Sequence, residues 1–207
     1  IKAVETFVES DMSIWKDYKS FVADANRIAI KSKLDQITAL QSNPQIAGFF
    51  LDQWADCGTE FDGLCDENRV SKGFEDFSKE ITTPSRALVS ELEHVVAPQS
   101  EISLQVTLLN NSRYEDVSVE VKLVDDNGKE LATDKISPEE PAGKTSLTQM
   151  GICTMMAPRA EGKYKLQVTL INDGNKIHTT EEDLIVIAEA DVKGAMRKVC
   201  FLDNSEE

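Results

Sequence analysis

The chain has 207 residues, with 37 acidic and 22 basic side chains and a formal net charge of −15. That charge is spread over both halves and leaves no basic patch, which excludes the usual nucleic-acid-binding footprint. Hydrophobic residues make up 41% of the chain, a globular balance. No apolar run approaches the roughly 20 residues a membrane helix needs, so no membrane partner is expected. The opening is an acidic amphipathic segment without a leader pattern and without Met, as in a piece cut from a longer protein.

From Asp11 to Gln41 the apolar residues recur every three or four positions, through Ile14, Tyr18, Phe21, Val22, Ala25, Ile28, Ala29, Leu34, Ile37 and Leu40. This spacing predicts one long amphipathic helix. Asp11 and Ser13 are candidate N-caps, and Ser42-Asn43-Pro44 stops the helix, because the residue before proline avoids helical backbone. The continuous apolar run Ile46–Leu51 follows. It predicts a short strand covered on both faces, as in a parallel sheet. A polar loop of about 20 residues leads to a second helix within 74–93, with Phe74, Phe77, Leu88 and Leu92 inward. Helix, strand, loop and helix together form the grammar of an α/β unit.

Near Ala97-Pro98 the period changes to two. Ile102, Leu104, Val106 and Leu108 alternate with polar residues, and so do Val117, Val119, Val121 and Leu123. Asp125-Asp126-Asn127-Gly128 and Asp173-Gly174-Asn175 supply hairpin turns. Further strands are expected at Leu147–Met156, at Tyr164–Leu170, at Ile177 and at Leu184–Ile187. Six or seven short strands over about 90 residues suggest an antiparallel sandwich of immunoglobulin-like type. Leu104–Asn110 nearly repeats as Leu166–Asn172, as two strands in similar settings would. Lys198–Asp203 begins one more apolar stretch.

Cys57, Cys65, Cys153 and Cys200 form no C-x-x-C pair, and free, mostly buried thiols are expected. His94, at the expected helix end, and His178, on an expected strand, have no neighbouring nucleophile or second metal ligand in sequence. Phosphate-loop, serine-elbow and zinc-protease motifs are absent, so no cofactor and no metal are called for. Asn110-Asn111-Ser112 has the form of a glycosylation sequon and equally that of a strand-ending turn.

Residues 52–69 concentrate Asp52, Asp56, Glu60, Asp62, Asp66 and Glu67 around Trp54 and Phe61. A sugar site uses such residues: carboxylates accept hydroxyl protons, and an aromatic face covers the ring's C–H bonds. In (β/α)8 barrels the active site lies at this end of the strands. The same residues would also make a solvated acidic loop with Trp54 in the core, and bare sequence leaves both readings open.

Segment 39–72 resembles the last barrel strand of glycoside hydrolase family 2, the β-galactosidase and β-glucuronidase clan. That family's pattern is a helix ending in Leu-Arg-x-Asn-Pro, then Ile-x-Gly-aromatic, a short apolar strand, an Asp, Gly-Leu-x-Asp, an Arg and a Lys. Asn43-Pro44, Ile46, Gly48, Asp56, Gly63-Leu64, Asp66, Arg69 and Lys72 stand in that order here. The resemblance implies a two-part α+β chain. Its first part is the C-terminal fragment of a TIM (β/α)8 barrel (residues 1–97), followed by an immunoglobulin-like antiparallel β-sandwich (98–190) and the start of a further domain (191–207). It implies a parent that hydrolyses β-glycosidic bonds by the retaining two-carboxylate route, with carbohydrate as its partner.

The family's catalytic glutamates stand on the fourth and seventh barrel strands. Glu5 and Glu9 lack that setting, so no catalytic residue is assigned and the chain alone is expected to be inactive. Asp52 and Trp54 would line the sugar pocket, Asp56 would position loop backbone or a sugar hydroxyl, and Glu60 would have a similar role. Many family members carry Trp at the position of Asp52, and here Trp54 stands two residues later, on the same face of a strand. A strand cut from its barrel exposes its edges, so self-association is expected. A stand-alone carbohydrate- or protein-binding module is the alternative.

Overall fold

The computed structural model describes residues 6, 8, 14–58 and 60–188. The N-caps expected at Asp11 and Ser13, Glu5 and Glu9, Cys200 and the apolar stretch at 198–203 lie outside the described residues. Helix α1 spans Tyr18–Gln41. Asp17 caps it: its carboxylate accepts from the Ser20 amide at 2.7 Å, and the Ser20 hydroxyl faces the Asp17 amide at 3.1 Å. The two satisfy orphan donors of the first turn reciprocally. The helix ends at Ser42, before Asn43-Pro44.

Helix α2 is shorter than expected, Phe74–Thr82. Pro84 follows closely, and the chain then turns into strand β1, Ser85–Ser90. Leu88 therefore lies on a strand and not on a helix. Four consecutive buried residues in β1 remove the alternation that would have marked it. At Phe74 and Phe77 the structure describes only the backbone, so their inward placement lies outside the described residues.

The remaining strands are β2 (Val95–Val96), β3 (Glu101–Asn110), β4 (Val117–Asp125), β5 (Glu130–Ile136), β6 (Leu147–Met156), β7 (Gly162–Asn172) and β8 (Asn175–Val186). They form a three-stranded sheet, β1-β3-β6, and a five-stranded sheet, β2-β8-β7-β4-β5. All ladders are antiparallel except β2 with β8. The sheets thus draw β1 and β2 from the N-terminal side of position 98. Ile177 and Leu184 belong to one continuous strand rather than two.

The core lies between the sheets. Leu104, Val106 and Leu108 of β3 meet Val119, Val121 and Leu123 of β4, Leu166, Val168 and Leu170 of β7, and Leu184 of β8. Each such side chain contributes about 1.5–3 kcal/mol by leaving water. The two near-identical heptapeptides occupy matching inner positions of β3 and β7. Asn110 is wholly buried; its amide donates to the Tyr114 and Ala142 carbonyls at 2.8 and 3.2 Å, and its oxygen accepts from the Tyr114 amide at 3.0 Å. The sequon residue is a corner brace of the sandwich. At the β4–β5 hairpin, Asp125 accepts from the amides of Asn127 and Lys129, and Gly128 takes φ 77°, as a tight turn requires.

Ile46–Leu51 forms no strand. Among the described residues no backbone hydrogen bond reaches 47–52, and Phe50 is fully exposed. Among the described residues the apolar run has no neighbouring strand, and a strand exists only as a member of a sheet. No (β/α)8 barrel is present among the described residues. Across residues 14–188 the described architecture is a β-sandwich carrying helices α1 and α2 and the loop between them.

Candidate functional site

The site is built from the turn after α1 onward. Asn43 accepts from the Gln45 amide at 2.9 Å, and its carbonyl from the Ile46 amide at 3.1 Å, so Asn43-Pro44 reverses the chain. From the bare run, Phe49 turns inward onto a small apolar cluster of Ile37, Leu64, Ile30, Leu34 and Ile81. That cluster seats the loop against α1.

Residues 53–56 then pair in parallel with 64–65. The Leu64 and Cys65 amides donate to the Gln53 and Trp54 carbonyls at 3.2 and 3.1 Å, and the Asp56 amide to the Cys65 carbonyl at 3.0 Å. The Asp56 carboxylate closes the loop. It accepts from Lys72 Nζ at 2.9 and 3.1 Å and from the Gly63 amide at 2.9 Å. Lys72 also donates to the Phe61 carbonyl at 2.7 Å. Gly63 sits so close that a Cβ there would lie 2.4 Å from the Asp56 nitrogen, so only glycine fits. Asp66 organises the next turn by accepting from the Asn68 and Val70 amides, both at 2.8 Å.

The four residues expected to contact sugar are therefore not equivalent. Asp52 is exposed, directly after the bare run, and Trp54 is 59% exposed and not in the core. Glu60 is exposed on the Cys57–Glu60 turn. Asp56 is committed to Lys72 and Gly63. Its carboxylate thereby ties the Gly63 amide and the Lys72 side chain together within the loop. A cavity of about 510 Å³ separates α1 from the loop, between Tyr18, Phe21 and Val22 on one side and Phe61, Val70 and Asp56 on the other. Of the four, only Asp56 reaches it. The clasp joins Asp56 to Gly63 and Lys72, two residues that the sequence carries only as an ordered Asp56…Gly63…Lys72 pattern.

A second polar cluster lies where the helices meet the sandwich. Arg86 of β1, 1% exposed, donates to Glu80 Oε1 at 3.1 Å and to Gln41 Oε1 at 2.7 Å. His178 of β8 faces Glu80 Oε2 at 3.1 Å, and Thr180 donates to Glu80 Oε1 at 3.2 Å. Lys31 of α1 bridges Glu182 at 2.6 Å and Asp35 at 2.8 Å. Burial pushes the Glu80 carboxyl up, but His178 and then Arg86 outweigh it and hold it below the ordinary carboxylate value. His94 precedes β2 rather than ending a helix, and its Nδ1 lies 2.7 Å from the Asp183 carbonyl. Cys57 is exposed, while Cys65 and Cys153 are buried, all as free thiols.

Among the described residues, no three His, Cys, Asp or Glu side chains stand as a metal-holding group. Chemically the loop offers an exposed tryptophan, Trp54, and the exposed carboxylates Asp52 and Glu60. That suits hydroxyl acceptance and ring stacking.

No family model matches the chain, and no curated protein does. Solved structures with some likeness include a CARDB domain from Pyrococcus furiosus in complex with di-metal ions. It is 17% identical, with a TM-score of 0.34, over 52% of this chain and 97% of that one. A glycosyl hydrolase family 2 member from Bacteroides cellulosilyticus is 19% identical, with a TM-score of 0.35, over 49% of this chain and 13% of that one. A β-glucuronidase from Parabacteroides merdae is 19% identical, with a TM-score of 0.30, over 47% and 13%. This chain thus spans about an eighth of the length of those glycosidases. The likeness falls on the sandwich and is too distant to assign a family.

Proposed function

We propose that the chain is the C-terminal portion of a retaining β-glycosidase of the family 2 kind. In this reading Ile46–Leu51 is the closing strand of a (β/α)8 barrel whose other strands lie outside these residues, and 52–72 is the loop at its active-site end. The chain supplies sugar-pocket and accessory parts, and the catalytic carboxylate pair comes from elsewhere in the parent. Asp52 and Trp54 contact the sugar, Glu60 stands at the pocket edge, and Asp56 acts through the loop backbone.

The observation that carries this reading is the Asp56–Lys72–Gly63 clasp. It gives three residues of the resemblance pattern one shared structural task. It folds the loop so that Trp54 and Asp52 stay outward at the end of an apolar run that has no sheet neighbours among the described residues. An acidic loop with no site would more readily bury its one tryptophan, since apolar area gains most from leaving water.

Two assays test it. Chromogenic β-glycosides incubated with the chain are expected to show no hydrolysis above a blank, and turnover would contradict the placement of the catalytic pair elsewhere. Methyl β-glucoside, β-galactoside and β-glucuronide are expected to give a saturable change in Trp54 emission with at least one sugar. That change should vanish in Trp54→Ala and persist when Trp15 is replaced by Phe. A flat response to all three would remove the sugar-binding assignment.

A further inference from the structure

One face of α1 meets the loop in two different ways. Its C-terminal half carries Ile30, Leu34 and Ile37, which close on Leu64 and Phe49. Its N-terminal half carries Phe21, Val22, Ala25 and Ala29 at the same helical spacing and lines the cavity of about 510 Å³. The two alanines are shorter than the leucine and isoleucines further on, so helix and loop stand apart there. Phe61 and Val70 make the apolar part of the loop wall and remain 63% and 61% exposed. Both walls belong to this chain, so the cavity needs no strand from outside it, and its volume suits a small molecule. Its polar groups are not alike. Lys72 Nζ is spent on both Asp56 oxygens and on the Phe61 carbonyl. Asp66 also lines the cavity; its Oδ1 accepts from the Asn68 and Val70 amides, and its Oδ2 has no partner among the described residues. The half-buried Asn26 side chain lines the cavity and likewise has no partner among them.

We propose that this cavity binds a small arylalkylamine, a flat apolar ring with an ammonium on a short chain. The ring lies between Phe21 and Val22 on the helix and Phe61 and Val70 on the loop, and covers apolar surface that both walls now leave in water. The ammonium donates to Asp66 Oδ2, with the Asn26 amide oxygen as a second acceptor. A carboxylate in its place would meet Asp66 with no cation to receive it, because the one base lining the cavity, Lys72, is already paired with Asp56. Asp52, Trp54 and Glu60 do not line the cavity. The inference therefore goes beyond the sugar reading and does not rest on it.

The probe is 2-phenylethylamine, with 3-phenylpropionate as the control of similar shape and opposite charge. The amine is expected to give saturable chemical shifts at the methyls of Val22, Ala25, Ala29 and Val70, at least about tenfold tighter than the acid and weaker as salt rises. Trp15 meets Phe21 edge-on at 5.0 Å between ring centroids, so its emission should change with the same midpoint. Ala29→Leu puts side-chain volume into the cavity and should abolish binding. Asp66→Asn keeps an oxygen for the two turn amides and should remove the preference for the amine over the acid. Unchanged hydrogen-exchange protection at the Leu64 and Cys65 amides, and in β3 and β7, would show that both variants are folded. Equal binding of amine and acid, no saturable shift at these methyls, or undiminished binding by Ala29→Leu overturns the inference. So do shifts at the same methyls that grow with protein concentration in the absence of amine, which would identify a second copy as the occupant. Sugar titration of Trp54 can fail while the amine binds, so the two readings fall separately.

Discussion

The Asp56 carboxylate and the Lys72 ammonium meet at 2.9 and 3.1 Å with their side chains only 12% and 6% exposed, and together they hold residues 53–72 in one closed loop. A pair so placed gains most of its worth from not being broken. Removing one partner leaves the other charge poorly solvated.

Lys72→Met is therefore expected to cost about 2–3 kcal/mol locally. The loss should show as faster exchange at the Leu64 and Cys65 amides, with β3 and β7 unaffected, because the loop's apolar cluster is separate from the sandwich core. Adding Asp56→Asn to that variant should recover part of the loss, since the orphaned charge is then gone. Equal destabilisation of loop and sandwich would show that the clasp is not a local device.

Acid should loosen the helices from the sandwich. Glu80 is held below its ordinary value by His178 and Arg86 against the upward push of burial. A carboxyl lowered in the folded state stabilises fully above its unfolded value near 4.5, and that contribution is lost as pH falls through the lower folded value. Urea midpoints taken from neutral pH down to acid should fall more steeply for the native chain than for Glu80→Gln. Glu181 and Asp17 are also lowered, but their exposure leaves them a smaller share. Parallel curves for the two proteins would contradict the assigned role of Glu80.

Thiol reactivity should sort by position. Burial, then Asp134 at 3.3 Å, pushes the Cys153 thiol up to about 12, so almost none of it is thiolate near neutral pH. Mass spectrometry after brief maleimide treatment should find Cys57 modified and Cys153 untouched until denaturant is added. Early modification of Cys153 would mean that β6 opens far more readily than its buried setting implies.

The sandwich was legible where one face is wet: Val117, Val119, Val121 and Leu123 alternate with polar neighbours, and β4 runs through all of them. Helix α1 was legible from its three-and-four spacing, and its cap moved to Asp17, where the capping box with Ser20 closes. Strand β1 was not legible. Ser85–Leu88 are buried in succession, and a charged Arg86 in that run disguises a strand. Its two terminal guanidinium nitrogens donate to Glu80 and Gln41, and a side-chain pair 45 residues apart leaves no local trace. At the candidate site the residue types were legible, but their division of labour was not. Only the fold shows that Asp56 faces Lys72 while Asp52 and Trp54 stay outward.

Chemical-shift mapping with methyl β-glycosides tests the central reading most directly, because it separates the loop from the sandwich residue by residue. Sugar binding at the loop predicts saturable shifts at the Trp54 indole and at the amides of Asp52 and Glu60, with β3, β7 and β8 silent. Shifts confined to the sandwich strands, or none at the Trp54 indole at saturating sugar, would contradict it.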